Sequence, residues 1–303
     1  MILIGLRERS CSPFLKENAM ARISVLCVGA GGTGTFFISG FGGFLSAFHN
    51  DDVSISFGII DGDYVERKNL ERQTGFVAND IGLNKAVIMA EAIRDVMPEH
   101  HEGMIKAFPS YVDDAVQISK AFRALQNGYS VPYFQILVGC VDNHRARQEM
   151  EKYFLSQDDI MYVDAANEYR SGEVVTAYRI GGKSYGKVRS GYFPEVSEDK
   201  SPRASEQSCG VINEKDPQHR DTNHFSGLLC VSRVNRFIAA VLEKKKDELA
   251  GELLPGLQVF DSFSGEVYYE KWKEESKADE RGNENSSNGK KGGKKKRPGR
   301  VAS

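Results

Sequence analysis

The chain has 303 residues, 40% of them hydrophobic and 10% aromatic, which suits a soluble globular protein long enough for one large α/β domain or two small ones. Its net charge of −2 divides unevenly: residues 276–303 hold nine Lys/Arg against three Asp/Glu (+6), and residues 1–275 hold 31 against 39 (−8). An acidic body with a basic end is not the profile of a dedicated nucleic-acid-binding domain. Cys11, Cys27, Cys140, Cys209 and Cys230 form no C-x-x-C pair, which argues against a disulfide framework and gives no zinc spacing.

Residues 1–22 read as an N-terminal extension. Their start, MILIGLRERSCSPF, has a short apolar run and no cleavage signal, so no secretory leader is expected and a reducing, cytoplasmic compartment is the simplest expectation. An apolar strand, Ile23 to Val28, runs into the glycine loop GAGGTG, Gly29 to Gly34. The window Phe36 to Phe48 (FFISGFGGFLSAF) is too short and too interrupted by glycine to cross a bilayer, so it predicts a buried helix and no membrane association. VSISFGIID, Val53 to Asp61, predicts a buried strand. The block DGDYVERKNLERQ follows, Asp61 to Gln73. Ile81, Ala86, Met89, Ala90, Ile93 and Met97 then fall at helical spacing over 81–97, with Pro98 closing the helix.

FQILVGCVD (Phe134 to Asp142) predicts another buried strand and NHRARQEMEKYFL the helix after it. IMYVDAANE (160–168) and EVVTAYRIGG (173–182) predict two more strands. Residues 183–222 are polar, contain Pro194, Pro202 and Pro217, and read as a long crossover loop. A strong helix is expected over 224–246, then two short strands, LQVFDS and GEVYYEKW, joined at Ser264-Gly265. Residues 276–303 predict a disordered basic tail, a solubilising end rather than a nucleic-acid contact. The fold class expected is α/β: a Rossmann-like, mostly parallel sheet with helices on both faces, C-terminal antiparallel strands and a long crossover loop, in one domain over residues 23–275.

Gly29, Gly31 and Gly34, with Gly32 between them, provide the tight turn and close backbone approach that a phosphate-binding strand-to-helix turn needs. The helix N-terminus beyond it offers free N–H groups to an anion. Asp61, ending a strand, suits both ribose hydroxyls, or serves as a plain turn aspartate. Arg72 and Lys85 are cations placed where bound phosphates project, and Asn69 and Gln73 add neutral donors and acceptors. Asp142 ends a third apolar strand, where its carboxylate can hold Mg²⁺ against phosphates or cap the next helix. Together these residues point to adenylating chemistry. Cys27, Cys140 and Cys230 lie in apolar elements and read as core residues, and His219 and His224 lack metal-ligand spacing.

With GAGGTG, DGDYVERKNLERQ, DIGLNKA and CVDN in place, the chain resembles the ThiF/MoeB/E1 superfamily, which adenylates the C-terminal glycine of ubiquitin-like proteins. DIGLNKAVIM and SEQSCG most resemble the ThiF-type proteins of bacterial PRTRC systems. The resemblance is specific over residues 23–150 and weaker over 160–270. It implies that Asp61 binds the ribose, that Asn69, Arg72, Gln73 and Lys85 contact ATP, and that Asp142 coordinates Mg²⁺. The implied partners are a small ubiquitin-like or sulfur-carrier protein ending in Gly and a second copy of the chain as a homodimer. Cys209, in Glu206-Gln-Ser-Cys-Gly, is then either the thioester-forming or sulfur-transferring cysteine of the crossover loop or a free loop cysteine.

Three departures stand beside that resemblance. The C-x-x-C pairs that hold structural zinc in many MoeB-like members are missing, so no zinc is expected; the N-terminal helix that donates an arginine to the neighbouring site is not recognisable; and the gap before Asp61 is longer, with an insertion expected near His49 to Asp52. Two alternatives remain: an NAD(P)-dependent oxidoreductase, supported by the glycine loop and Asp61, and a non-catalytic E1-like scaffold subunit.

Overall fold

The computed structural model describes residues 21–48, 50, 53–97, 104–126, 133–206, 219–242 and 254–273, and for Ala21, Arg72, Ala204 and Leu242 the backbone alone. Five strands come first: β1 (Ala21–Val28), β2 (Val53–Ile60), β3 (Ile105–Phe108), β4 (Phe134–Gly139) and β5 (Ile160–Asn167). After them come β6 (Ser171–Ile180), β7 (Lys183–Tyr185), β8 (Gly256–Asp261) and β9 (Val267–Lys271). The helices are α1 (Gly32–Ala47), α2 (Asn69–Arg72), α3 (Lys85–Arg94), α4 (Ala115–Leu125), α5 (His144–Ser156), α6 (Glu195–Glu198) and α7 (Arg220–Leu242).

All nine strands join one sheet in the order β3-β2-β1-β4-β5-β6-β8-β9, with β7 paired to β6. β3, β2, β1, β4 and β5 run parallel, and β6 to β9 are added antiparallel. The strand order reverses at β1, between β2 and β4, and ligands in open parallel sheets bind outside the carboxyl ends of the strands at such a point.

The apolar run of β1 is continuous because both of its faces are covered. Ile23, Val25 and Cys27 pack against α1, α3 and α7, while Leu26 and Val28 pack against α4 and α5. On the first face Phe37 and Phe41 of α1 stack with centroids 5.6 Å apart, and Phe41 meets Phe57 of β2 edge-on at 5.1 Å. Each such buried ring contributes about 1.5–3 kcal/mol of hydrophobic stabilisation. Cys27, Cys140 and Cys230 are buried in the same cluster as the sequence suggests, and contact with Cys140 together with burial pushes the Cys230 thiol well up. No described helix is long and apolar enough to cross a membrane.

The structure departs from the sequence expectations in four places. The helix expected from Ile81 begins at Lys85, because Gly82 takes a left-handed φ of +89° and Asn84 caps the first turn through Val87 N–H. β3 and α4 lie in a stretch for which periodicity gave no element, although Asp114 and Gln117 form a reciprocal capping box there. Residues 183–206 are not a plain loop: they hold β7, α6 and two short 3₁₀ turns, and α7 starts at Arg220 rather than at residue 224. The helix after β4 is capped by Asn143, which accepts from Ala146 N–H at 2.7 Å, so Asp142 has no capping role. Cys209, the insertion near residues 49–52 (save Asn50) and the basic tail lie outside the described residues.

Candidate active site

The carboxyl ends of β1, β2 and β4 meet at one place. Backbone bonds carry the ladder past the strand ends: Gly29 N–H donates to Ile60 O at 2.9 Å and Cys140 N–H to Val28 O at 2.8 Å. Gly29 has a φ of +97°, and a Cβ there would lie 2.5 Å from Cys140 O, so the turn requires glycine. A Cβ on Gly34 would lie against Gly29 O, which keeps the start of α1 close to the strand end. Gly31 differs from both. It has an ordinary φ of −83° and no neighbour within 4 Å of an added Cβ, and it starts α1 without a side-chain cap. The N-terminus of a 16-residue helix is thus left without a side-chain cap and open on its Gly31 side, a ready site for an anion.

Asp61 closes this loop from β2. Its Oδ2 accepts from Ala30 N–H at 2.5 Å and its Oδ1 from Asp63 N–H at 2.7 Å. Burial raises its carboxyl to about 6, with Lys85 and the two backbone donors opposing the rise and Asp63 adding to it. Lys85, the first residue of α3, is buried, and its Nζ donates to Asp63 Oδ2 at 3.1 Å. Asn84 Nδ2 donates to the carbonyls of Asp61 and Asp63, both at 3.0 Å, tying the start of α3 to the end of β2. Asn69 is buried and folds its loop by accepting from Glu66 N–H at 2.7 Å. Gln73 follows, and its Oε1 is buried with no hydrogen-bond partner among the described residues. Arg72 ends α2 beside it, its side chain lying outside the described residues.

Asp142 follows the Cys140–Val141 turn, whose atoms lie against Gly29. Its side chain is exposed. Arg147 of α5 fixes that turn: its Nη2 donates to Val141 O at 2.6 Å and to Ala165 O at 3.1 Å. The glycine loop, Asp61, Lys85 and the Asp142 turn are thus gathered at one end of the sheet, as their spacing suggests. Cys209 is the predicted site residue about which the described residues say nothing.

Several residues at this end are not evident from the sequence. Tyr111, in the loop after β3, donates to Asp63 Oδ1 at 2.7 Å. A buried polar network joins α1, β5 and α7: Thr33 Oγ1 donates to Asn223 Oδ1 at 3.1 Å, and Asn167 Nδ2 donates to both, at 2.6 and 2.8 Å. Asp164 of β5 is wholly buried between Arg147 at 3.3 Å and Arg189, which also donates to Glu173 O at 3.2 Å. These partners lie 16 to 190 positions apart, and no local spacing joins them.

The chain is 24% identical over 201 residues to a probable molybdopterin-synthase adenylyltransferase of Porphyra purpurea, covering 65% of this chain and 44% of that protein. Among solved structures, E. coli MccB superposes with a TM-score of 0.52 at 17% identity, covering 86% of this chain and 63% of that one. E. coli MccB with ATP gives 0.51 at 17% identity, with 86% and 64% covered. The chain thus spans less than half of the curated relative and under two thirds of the MccB chain, and the structural likeness is one of fold. A family model, the ThiF family, matches residues 12–280, and the chain belongs to that family.

Proposed function

We propose that the protein is an E1-like adenylyltransferase that uses ATP to activate the C-terminal carboxylate of a small ubiquitin-like or sulfur-carrier protein. One observation carries this reading. At the point where the strand order reverses, an uncapped helix N-terminus, a ribose-type carboxylate tied to the glycine loop and a buried ammonium face the same end of the sheet. The namesake activity of the Porphyra relative and the ATP complex of MccB agree with it. A hydride-transferring enzyme would use the loop and Asp61 but leaves Lys85, Gln73 and Asp142 without a shared purpose.

In this reading the glycine loop and the first turn of α1 receive phosphate oxygens through backbone N–H groups. Asp61 accepts from the ribose hydroxyls, and Lys85 with Arg72 faces the phosphate charge. The carrier's carboxylate oxygen attacks the α-phosphorus, the bond to the β-phosphate bridging oxygen breaks, and acyl-adenylate and pyrophosphate result. Positioning and charge stabilisation suffice for this step, and no protein nucleophile takes part. The exposed Asp142 fits Mg²⁺, since its carboxylate is released from capping by Asn143 and Mg²⁺ takes few protein oxygens beside phosphates and water. When bound there, Mg²⁺ would neutralise phosphate charge on the leaving pyrophosphate.

Cys209 belongs to the proposal as the acceptor of the activated acyl group in a following step, with AMP as the leaving group. A homodimer belongs to it as well, supported by the exposed Tyr64, Val77, Ile81 and Leu83 beside the site. Carrier-dependent exchange of labelled pyrophosphate into ATP tests the central reading, with abolition expected in Lys85→Ala and Asp142→Ala. Full exchange in both variants would reject the assigned site. A thiol-sensitive carrier adduct that survives Cys209→Ala would remove that residue's role.

A further inference from the structure

Asp63 lies between two partners that come from opposite sides of the site. Its Oδ2 receives Lys85 Nζ at 3.1 Å, and its Oδ1 receives the Tyr111 hydroxyl at 2.7 Å. The tyrosine is itself confined: an added Cβ on Gly62 would lie 2.5 Å from its ring, so the ring rests on the backbone between Asp61 and Asp63. The backbone of Asp63 is held too, with its carbonyl accepting from Lys85 N–H and from Asn84 Nδ2, both at 3.0 Å. Main chain and both carboxylate oxygens of Asp63 are therefore fixed to α3 on one side and to the loop after β3 on the other.

We propose that Tyr111 is a positioning residue for Lys85 and acts through Asp63. A lysine ammonium is a point charge on a four-carbon stem, and ordering such a side chain costs up to about 2 kcal/mol of rotamer entropy. A single carboxylate can rotate to follow a moving ammonium. With its other oxygen held by the tyrosine hydroxyl, the Asp63 carboxylate cannot turn, and Lys85 keeps one position before any ligand arrives. Lys85 is buried with a side-chain exposure of 7%, whereas Asp63 is 43% exposed, so the ammonium rather than the acid is the group being placed. Catalysis by electrostatics depends on charges arranged in advance. Gly62 fits the same scheme, because any larger residue would lift the tyrosine off its seat.

The proposal rests on the adenylation reading for its functional consequence but not for its geometry, and the test separates the two. Tyr111→Phe keeps the ring on Gly62 and removes only the hydroxyl. In the ligand-free protein, NMR relaxation of the isotope-labelled Lys85 ammonium should show it more mobile in the variant than in wild type. Carrier-dependent exchange at saturating ATP should fall roughly 10-fold, the scale of loosening a positioned group without deleting it. In a Lys85→Ala background the same substitution should change ATP binding no further. An unchanged ammonium mobility would overturn the proposal, as would additive losses in the double variant. A gain in exchange would show instead that Asp63 and Tyr111 hold Lys85 away from its task. Wild-type protein that binds ATP without exchange would defeat adenylation and leave the mobility and binding measurements able to decide the role of Tyr111.

Discussion

The buried cluster around β5 and the ends of β1, β2 and β4 treat their charged groups in opposite ways. At β5, where the parallel strands give way to the antiparallel ones, Asp164 is enclosed by Arg147 and Arg189, and Arg189 goes on to the Glu173 carbonyl and carboxylate, so cations and acids are paired inside the fold. At the ends of β1, β2 and β4 the groups are left open. Gly31 faces free space, Asp142 is exposed, and Asp61 is a carboxylate held up to about 6 by burial. Buried charges paired with one another hold a fold together, and exposed or charge-tuned groups at strand ends mark where something else binds. The two regions meet at Arg147, which pins both the buried Asp164 and the Val141 carbonyl beside Asp142.

That contrast can be broken first at its closed end. Asp164→Ala strands two buried guanidinium groups and should destabilise the protein by about 3–5 kcal/mol in chemical denaturation. A loss below 1 kcal/mol would mean the cluster is not the anchor described. Within the glycine loop, Gly29→Ala and Gly31→Ala should part company. The first forces a Cβ onto Cys140 O at a left-handed φ and should cost about 1–3 kcal/mol of stability. The second meets no neighbour, should shift stability by less than about 0.5 kcal/mol, and should weaken ATP binding instead.

A pH titration sharpens the contrast at Asp61. With its carboxyl near 6, the group is ionised at pH 7 and takes up a proton as the pH falls through 6, removing an acceptor for ribose hydroxyls. ATP affinity should fall as the pH drops below that value, by at most about 10-fold per pH unit, and Asp61→Asn should flatten the profile. Stability runs the other way. The folded carboxyl binds its proton more tightly than the unfolded one, whose value is 3.8, so this group's contribution is fullest below that value and is lost as the pH rises through 6. A modest effect on stability alone is expected at Asn143→Ala, which removes the α5 cap and should cost about 1 kcal/mol without changing Mg²⁺ dependence.

Much of the open end was legible in the sequence because each piece is local. GAGGTG follows an apolar strand, Asp61 and Asp142 each follow another, and Lys85 opens a helix after a recognisable block. Strand ends in a parallel sheet converge by topology, so naming the strands was nearly enough to gather the site. The long-range side-chain contacts were not legible. Asp164 with Arg189, Thr33 with Asn223 and Asp63 with Tyr111 are joined by folding across 25 to 190 positions, and no spacing rule connects them. The 183–206 segment was hidden for a related reason. Its polar composition matches a loop, yet Arg189 and Val196 are buried and β7 pairs with β6. The start of α3 was misplaced because one left-handed glycine, Gly82, outweighs the apolar periodicity running through it.

The central claim is that the groups at these strand ends converge on one bound ATP–magnesium, and calorimetry tests it most directly. Wild-type protein, Lys85→Ala and Asp142→Ala would each be titrated with ATP, with and without Mg²⁺, and with NADH. The account predicts that ATP binds and NADH does not, that Lys85→Ala weakens ATP binding in either condition, and that Asp142→Ala removes the dependence on Mg²⁺. NADH binding in place of ATP, or wild-type affinity and Mg²⁺ dependence in both variants, would contradict it.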